Sequence, residues 1–570
     1  MNSSDQTVEQ GQSSAAISPN PSAPEATPSV SPATTRASGF APLRYPLFRD
    51  RWIASTVSNL GTWMQDTSGT WLMTALTGSP LLIALMQTAA SAPVLLLGIF
   101  AGATADIFDR RRLLLFWQAW QMAAVALLAV LAFTGVIGPV WLLLLTFLMN
   151  IGSAMNNPAW QAIVPELIPR SELPNAVALA SASNNLARAV GPALGGLLMA
   201  AFIHETTGAG WTFALNAASF AAVIWVLYVW KRQPLFRSAL PAERLMGSVE
   251  TGFRFLRYSP VLQATFVRAF LFTFSVAAVW SLLAVVAHRH LGQGALGYGI
   301  LNGSMGLGAV LAAFLLPRVR ARFTYDQILA ASSAQYISTL LVLAFARTTW
   351  PIILFLIAGG FAWVCTMSSL NVSVQLNAPG WVQARALGMY QMVFQGGLAI
   401  GSVVWGYVAE HSSVKVAMCA SAATMAVSLP LTLRLHVMRG TVPDLSPYQW
   451  KRPVPHLELE PQPEDGPVRI LVDYSVPTER YNEFVHAIHQ LRDVRLRSGA
   501  IRWGVFRDGN DPERLEESFV MESWLEYLRS RERMTTADAT LLQTVRSMHK
   551  GDESPRVTHQ VYAKEVQAAS

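Results

Sequence analysis

Residues 184–196 read NNLARAVGPALGG and place Arg188, a Gly-Pro pair and a Gly-Gly pair inside a long apolar run. An arginine within a segment of hydrocarbon length costs about 2.5 to 3.5 kcal/mol on insertion scales. We therefore expect Arg188 to face a protein interior or a water-filled cavity rather than lipid. The stretch predicts a membrane helix that carries a functional charge.

The composition is typical of a polytopic membrane protein. Of the 570 residues, 52% are hydrophobic and 14% are charged, which is too apolar for a single soluble globule. Both cysteines, Cys365 and Cys419, fall in apolar runs, which gives no support to a disulfide framework or a cysteine metal site. The net charge of +7 comes from short basic clusters between apolar runs, so we expect no nucleic-acid partner.

Twelve apolar runs are long enough to cross about 30 Å of hydrocarbon. Basic residues concentrate in the loops after even-numbered runs, which predicts that both termini lie in the cytoplasm. We expect a multi-pass protein of the inner (cytoplasmic) cell membrane. The runs fall near residues 52–75, 81–104, 113–134, 140–159, 176–203, 211–230, 261–287, 296–316, 327–346, 351–377, 386–409 and 414–436.

An internal repeat divides the twelve predicted helices into two halves, residues 43–230 and 261–438, on either side of a central cytoplasmic loop, 231–260. Asn157 and Gln161, one helical turn apart, recur as Asn371 and Gln375 at the end of the tenth run. Residues 176–191 and 386–401 span corresponding positions of the two halves. The Gly-Gly pair at 195 and 196 has only a weak counterpart, Gly406, in the second half. Parallel repeats of this kind are typical of transporters that rock around a central site.

Two segments of different composition flank the apolar body. Residues 1–42 are rich in Ser, Ala, Pro and Thr, which predicts a disordered cytoplasmic tail. A proline-rich linker, 439–465, leads to residues 466–570, where fifteen basic and sixteen acidic residues predict a soluble cytoplasmic domain. Its strand and helix patterns follow a β-α-β-β-α-β order, the split ferredoxin-like arrangement. The predicted fold is thus an all-α polytopic membrane protein plus a small C-terminal α+β domain.

The turn after the second run reads Gly102-x-x-x-Asp106-x-x-Asp109-Arg110-Arg111. This turn resembles the loop signature of the major facilitator superfamily, and departs from the family pattern at Ile107 and Asp109. The resemblance implies a cytoplasmic gate, in which the glycine permits close helix approach and the charged residues latch the two halves. A basic loop that only sets topology would explain the arginines, but not Gly102 or Asp106.

The opening stretch resembles a second signature of that superfamily, the antiporter motif. Gly191, Pro192, Gly195 and Gly196 match it in spacing and helix number, while Ala187 replaces its first glycine. A proline bends a helix, and glycines let a neighbouring helix approach. The resemblance implies export by exchange; ordinary small-residue packing is the alternative.

Residues 61–80, the Asp106 turn, residues 165–196 and the C-terminal domain together resemble the enterobactin-exporter-like branch of the superfamily. Within that domain, residues 498–504 and 522–526 resemble the cytoplasmic domain of many bacterial members, which is similar to dimeric α+β barrels. This resemblance implies possible homodimerisation through residues 466–570, with Trp503 and Trp524 as core or dimer contacts. His486 and His489 lie three residues apart, but no third ligand accompanies them, so we expect a solvated face rather than a metal site.

Asp66 is the only acidic residue well inside a predicted helix, and is therefore the candidate site of proton exchange. We expect the proton gradient to be the driving force, with no other cofactor. Arg188 is its candidate charge partner, and Arg268 is a second buried charge. A fixed ion pair, or an aspartate at the outer mouth, is the alternative for Asp66.

By resemblance, the fourth and tenth helices line the cavity. Their polar pairs, Asn157 with Gln161 and Asn371 with Gln375, would therefore serve binding or, because they lie near the cytoplasmic ends, gating. Trp63, together with Met64 and Met392, would supply apolar surface for bulky amphiphiles, although core packing is the commoner role of such residues.

These features predict a secondary active transporter and not an enzyme. It would be a proton-coupled exporter, an antiporter, that moves small amphiphilic compounds such as siderophores or drugs across the bilayer by alternating access. Two alternatives stay open: a carrier fused to a monooxygenase-like domain, and an importer with a regulatory or dimerisation domain.

Overall fold

The computed structural model describes residues 40–169, 172–230, 245–437, 443–448, 458, 461–551 and 553–563. Within them, twelve helices of at least 21 residues form one body, and a four-stranded sheet with its helices forms a C-terminal domain. Nearly all of the predicted tail 1–42, the first part of the central loop and most of the linker lie outside the described residues.

The first half contains six long helices, and proline occupies the first turn of several of them, where its missing N–H costs nothing. Ser79 also caps the second helix by accepting from the Leu82 amide at 3.2 Å. The helices are α1 (Pro46–Leu76), α2 (Pro80–Ile107), α3 (Arg110–Phe133), α4 (Pro139–Ala162), the one-turn α5 (Val164–Leu167), α6 (Leu173–Ala200) and α7 (Glu205–Val229).

The second half begins with a helix that the sequence did not predict, α8 (Leu245–Arg257), in what was expected to be a loop. Six long helices follow it, as the repeat predicted. They are α9 (Pro260–Val285), α10 (Ala295–Arg320), α11 (Tyr325–Phe345), α12 (Thr349–Asn377), α13 (Gly380–His411) and α14 (Val414–Arg434).

Ten of these twelve helices are long and apolar enough to cross a membrane by length and composition alone, counted over the described residues. The other two, α1 and α6, are 31 and 28 residues long but more polar. They hold Asp66 and Arg188, so their lower hydropathy reflects residues that face the protein interior.

The two halves meet through helix pairs related by a pseudo-two-fold arrangement. α6 of the first half packs on α10 of the second, and α13 of the second half packs on α2 of the first. Because α6 and α13 are equivalent in the repeat, as are α2 and α10, each half offers the same two helices to the other. The predicted duplication is therefore present in the packing.

We call the end of the body where α1 begins the inner end, which the loop charges predict to be cytoplasmic, and the opposite end the outer end. The halves are joined at the outer end. Glu410 accepts from the Ser79 hydroxyl at 2.9 Å and from the Leu81 amide at 3.3 Å, and Arg289 donates to the Gly78 carbonyl. These contacts close the outer end of the space between the halves.

The C-terminal domain has the predicted ferredoxin-like order. It consists of β1 (Val468–Ser475), α15 (Tyr481–Ser498), β2 (Ala500–Arg507), β3 (Arg514–Met521), α16 (Trp524–Glu532), α17 (Thr536–Arg546) and β4 (Arg556–Val561). The strands form an antiparallel sheet in the order β2-β3-β1-β4. The predicted second helical stretch is two helices, because Thr535 starts α17 with a capping box.

Candidate functional site

A cavity of about 740 Å³ lies between the two halves and is the candidate substrate site. Helices α1, α2, α4 and α6 line it from one side, and α9, α10, α12 and α13 line it from the other. Asp66 and Arg188 both line it, as the sequence predicted for residues too polar to face lipid. Their positions fall in the middle third of the long helices α1 and α6.

The predicted charge pair between Asp66 and Arg188 is not formed in this structure. Within the described part of the chain, neither residue has an ion-pair partner within 4.0 Å. The Arg188 guanidinium instead lies over the ring of Trp63, 5.2 Å from its centroid, one turn before Asp66 on α1. Its Nε atom is buried and has no hydrogen-bond partner among the residues that the structure describes. The expectation of an ion pair was therefore wrong for this conformation.

Aromatic side chains form a continuous band along the cavity wall. Trp63 lies 6.4 Å from Trp280 across the two halves, Trp280 lies 5.3 Å from Trp363, and Trp363 lies 5.5 Å from Phe394, all measured between ring centroids. Such faces bind flat apolar groups. Amides and hydroxyls supply the polar part of the wall, which includes Thr70, Asn150, Asn184, Asn185, Asn302, Ser368, Asn371, Gln391 and Gln395.

Arg268, the second predicted buried charge, is not part of this cavity. Its guanidinium forms an ion pair with Asp326 at the start of α11. Asp326 also accepts from the Val437 amide at 3.2 Å, so the pair joins α9, α11 and the end of α14 near the inner end. Arg268 thus has a structural partner, which does not fit the role of a mobile charge.

The repeated amide pairs form the same hydrogen bond in both halves. Gln161 donates to the Asn157 side chain at 3.1 Å, and Gln375 donates to the Asn371 side chain at 2.5 Å. This confirms that each pair lies on one helix face. Only Asn371 of the four is among the described residues that line the cavity; the others lie nearer the inner end, where gating stays a prediction.

The glycines of the predicted antiporter motif bring α6 close to two helices at once. A side chain at Gly191 would place its Cβ 2.6 Å from the Trp63 Cβ, and one at Gly195 would lie 2.7 Å from the Met64 carbonyl, both on α1. On the other face, a Cβ at Gly196 would lie 2.6 Å from the Ala295 carbonyl of α10. Pro192 lies between these contacts, inside α6.

Gly406 of α13 is the equivalent of Gly196, and its contact is also equivalent. A Cβ at Gly406 would lie 2.6 Å from the Ala84 Cβ and 3.3 Å from the Leu81 Cα of α2. The weak sequence correspondence between Gly406 and the Gly-Gly pair therefore marks a second close crossing between the halves. Both crossings lie toward the outer end.

The gate-loop residues make their described contacts within the first half. Asp109 caps α3 by accepting from the Arg112 amide at 2.9 Å. Arg111 donates to the carbonyls of Leu227 and Tyr228 at 2.9 and 2.6 Å, which anchors the turn to the end of α7. No described atom lies within 4 Å of a Cβ built at Gly102, so the close helix approach expected at this glycine is not present in this conformation. The side chain of Asp106 lies outside the described part, Arg110 is in the first turn of α3, and the latch between halves remains a prediction.

The C-terminal domain contains a buried ionic network. Glu517 is fully buried and accepts from Arg495 at 2.9 and 3.1 Å and from the Trp503 indole at 3.0 Å. Burial by itself raises the pKa of Glu517, but the Arg495 guanidinium outweighs it and holds that pKa below its ordinary value. Burial also raises the pKa of Tyr474, whose hydroxyl donates to Glu517 at 3.4 Å. The network ties α15 to β1, β2 and β3.

The two histidines of α15 are predicted from the sequence to lie on a solvated face. No group of three His, Cys, Asp or Glu side chains at ligand spacing occurs among the described residues. The ring of His489 contacts its own helix through the Val485 carbonyl at 2.8 Å and packs 5.4 Å from the Trp503 ring.

Trp524 is buried in the domain core, and Trp503 takes part in the Glu517 network, so both predicted core contacts are present.

The domain rests on the inner end of the second half. Trp381, at the start of α13, donates to the Arg533 carbonyl at 3.2 Å, and the Arg533 guanidinium lies 5.0 Å from the Trp381 ring centroid. Arg254 of α8 donates to the Gly499 carbonyl at 3.1 Å. α8 therefore forms a base for α15, which explains why a helix occurs in the central loop.

A sequence profile described as "Transmembrane secretion effector" matches residues 37–567. The chain therefore belongs to this family of major facilitator transporters. The match includes the C-terminal domain as well as both halves.

Several relatives and solved structures are similar to the chain. The Staphyloferrin A transporter of Staphylococcus aureus is 24% identical over 62% of this chain and 86% of its own length. The multidrug efflux pump Tap of Mycolicibacterium fortuitum is 27% identical over 67% and 92%. The uncharacterised transporter YfiS of Bacillus subtilis is 29% identical over 38% of this chain. This match spans about half, 52%, of the length of YfiS.

Among solved structures, a bacterial homologue of the human lysosomal transporter Spinster, in an inward-facing and unoccupied conformation, matches with a TM-score of 0.55. The match covers 69% of this chain and 97% of that one at 13% identity, so it shows the fold alone. The chain is thus a multi-pass membrane transporter with two six-helix halves and an added C-terminal domain.

Several cavity residues were not among the sequence candidates. Trp280, Trp363 and Tyr298 stand in apolar runs, where an aromatic residue gives no sign of which side it faces. Asn302 could have been found, since an amide in the outer half of a membrane helix needs a partner; it donates to the Thr67 hydroxyl at 3.2 Å across the halves. Of the predicted apolar surface, Trp63 lines the cavity, whereas Met64 packs on Gly195 and Met392 on Gly98.

Proposed function

We propose that this protein is a proton-coupled exporter of small amphiphilic compounds, such as siderophores or drugs, that works by alternating access. One observation carries the proposal. Asp66, a carboxylate without an ion-pair partner among the described residues, lines a cavity between two halves that are joined at the outer end. A carboxylate in that position can take up or release a proton when rocking of the halves changes the side to which it is exposed.

The direction of transport is supported by relatives and by the packing of α6. One relative is named a multidrug efflux pump and another the Staphyloferrin A transporter. The Gly191–Gly196 stretch packs tightly on both α1 and α10, which suits a seal against leakage during exchange. The cavity has an aromatic band and many amides, a surface suited to amphiphiles.

Transport of Hoechst 33342 into everted membrane vesicles tests this proposal. We expect respiration to drive uptake of the dye and nigericin, which collapses the pH gradient while the electrical potential is held, to abolish it. Asp66→Asn should abolish the pH-dependent part, whereas Asp50→Asn, an exposed carboxylate at the start of the same helix, should not. Dye uptake that persists without the pH gradient would contradict proton coupling.

We also propose that the C-terminal domain is a dimerisation module rather than an enzyme. The sheet face turned away from the helices carries Phe506, which is 58% exposed, and a mixture of Arg469, Glu516 and other charges suited to a second copy. Phe506→Glu should convert a full-length dimer into a monomer in light scattering of the detergent-solubilised protein. A wild-type monomer would exclude this role.

For the membrane arrangement, we propose the cytoplasmic membrane with both termini inside. Reporter fusions at residues 1 and 570 should both be active only as cytoplasmic reporters.

A further inference from the structure

We propose that the cavity has two separate charge-binding positions and therefore selects zwitterionic amphiphiles. In this inference, Arg188 receives an acidic group of the substrate and Asp66 receives its basic group. It rests on the proposed function, since it concerns what the same cavity transports. It adds a substrate class that a lone proton-exchanging carboxylate does not define.

The charges of the cavity provide the first step. Among the described residues that line it, Asp66 and Arg188 are the formally charged ones, and they have opposite signs. They are not paired with each other or with another described side chain within 4.0 Å. Both side chains are partly exposed within the cavity, so both charges are accessible to a ligand. A ligand with two charges of the complementary signs supplies both missing partners.

Arg188 is suited to an acidic group. Its guanidinium is held over the Trp63 ring, which fixes the side chain without neutralising it, and its Nε lacks a hydrogen-bond partner in the described part of the chain. The planar guanidinium binds carboxylates through two parallel hydrogen bonds. Asn184, one turn earlier on the same face of α6, also lines the cavity and adds an amide donor.

Asp66 is suited to a basic group that competes with the proton. Thr70, one turn later on α1, and Tyr298 on α10 line the cavity near it. A substrate ammonium and a proton cannot both neutralise one carboxylate. Binding of the ammonium therefore requires the Asp66 proton to leave. An antiporter needs such mutually exclusive binding of substrate and proton.

The aromatic band suits the body of such a substrate. Trp63 and Trp280 lie 6.4 Å apart across the halves, and both line the cavity. A flat ring system placed on this band can hold an acidic group toward Arg188 and a basic group toward Asp66. The cavity volume of about 740 Å³ is within the range of sites for drug-sized molecules.

Norfloxacin and two derivatives provide matched probes. Norfloxacin carries a carboxylate and a basic piperazine on one aromatic system. Its ethyl ester lacks the acidic group, and N-acetylnorfloxacin lacks the basic one. Calorimetric titration of the purified full-length protein in detergent, near neutral pH, measures the affinity for each.

The wild type should bind norfloxacin about tenfold or more tightly than either derivative, since a hydrogen bond to a charged group is worth about 1.5 to 3 kcal/mol, or about tenfold to a hundredfold. Arg188→Gln should weaken the binding of norfloxacin and of N-acetylnorfloxacin by about this factor. It should leave the affinity for the ester within about twofold of the wild-type value. Arg188→Lys should recover part of the loss. Asp66→Asn should weaken the binding of norfloxacin and of the ester, and should leave the affinity for N-acetylnorfloxacin unchanged.

The unaffected probe in each variant shows that the cavity still folds. An equal loss for all three probes would assign Arg188 a structural role and overturn the inference. Unchanged affinities would overturn it too, as would failure of norfloxacin to bind the wild type below about 1 mM, the weak end of ordinary substrate affinities. Hoechst 33342 has no acidic group, so its proton-dependent uptake tests the proposed function separately. If dye uptake depends on the proton gradient but the three norfloxacin probes do not show the expected differences in affinity, the zwitterion inference is wrong and the proposed function stands.

Discussion

At the residue scale, the contrast between two carboxylates shows how a charge is tolerated away from water. Glu517 is fully buried but accepts three short hydrogen bonds from Arg495 and Trp503. Asp66 has no such partners within the described part of the chain and opens into a cavity instead. The first arrangement fixes structure, whereas the second leaves a charge available for a ligand or a proton.

Removal of the Glu517 charge should destabilise the C-terminal domain. Glu517→Gln leaves Arg495 buried without its anion, which costs about 3 to 5 kcal/mol when one partner of a buried pair is lost. Hydrogen exchange of the β3 amides in the full-length protein should accelerate by more than about a hundredfold. Asp473→Asn, in the more exposed pair with Arg514, is the control and should change exchange by about fivefold or less.

The same carboxylate predicts an acid sensitivity. The pKa of Glu517 is lower in the folded protein than its ordinary value of 4.5, so its contribution to stability is fully present above that ordinary value. This contribution is lost as the pH falls through the lower, folded-state pKa. Amide protection in β3 should therefore be steady from neutral pH to about pH 5, and fall below pH 4.5. An equally steep acid loss in Glu517→Gln would contradict this assignment.

The candidate site was predicted in part from sequence at this scale. Asp66 and Arg188 were found because a charge in an apolar run demands an interior position. Their separation was not predictable, because it depends on how α1 and α6 are rotated about their axes. Trp280 and Trp363 were missed for a related reason: aromatic residues are common on lipid-facing and core-facing sides alike.

At the element scale, the glycines of α6 and α13 place the halves in contact. Gly196 and Gly406 occupy equivalent positions, and each lies against the opposite half. The sequence predicted the helices, their number and the α6 motif, because hydropathy and spacing are local properties. It did not predict α8, since a 13-residue amphipathic helix between longer apolar runs resembles a charged loop.

Gly196→Leu and Gly406→Leu should each favour an outer end that is open. Overpacking of a tight contact costs about 1 to 3 kcal/mol, enough to shift a two-state equilibrium about tenfold. A Thr70→Cys reporter, with both native cysteines replaced by serine, should react about tenfold faster with a membrane-impermeant thiol reagent added outside. Gly388→Leu is the matched control on α13, because open space surrounds Gly388. Equal reactivity in all three variants would rule out this role for the glycines.

At the scale of the whole molecule, the C-terminal domain is attached to one half. Its described contacts run through Trp381 and Arg254 to the second half and α8. The ferredoxin-like order was predictable because each strand and helix has its own pattern. The docking was not, since it depends on surfaces that meet only after both parts have folded.

Arg254→Gln should loosen this docking. The substitution removes the hydrogen bond to the Gly499 carbonyl, and we expect faster hydrogen exchange in α8 and in the last turn of α15. The change should be about tenfold or more, since loss of one hydrogen bond from a charged donor costs about 1.5 kcal/mol or more. Arg257→Gln alters an exposed arginine three residues away on the same helix and should leave exchange unchanged. Equal changes in hydrogen exchange in Arg254→Gln and Arg257→Gln would contradict a specific contact between Arg254 and the Gly499 carbonyl.

The attachment of the domain to α8 and α13 has a practical consequence. Under the proposed alternating access, the domain moves with the second half, and its distance from the turn between α2 and α3 changes during every cycle. A donor dye on the domain and an acceptor dye on that turn would therefore record single transport cycles as changes in energy transfer. The C-terminal domain thus provides an optical sensor of conformation that needs no label in the twelve long helices.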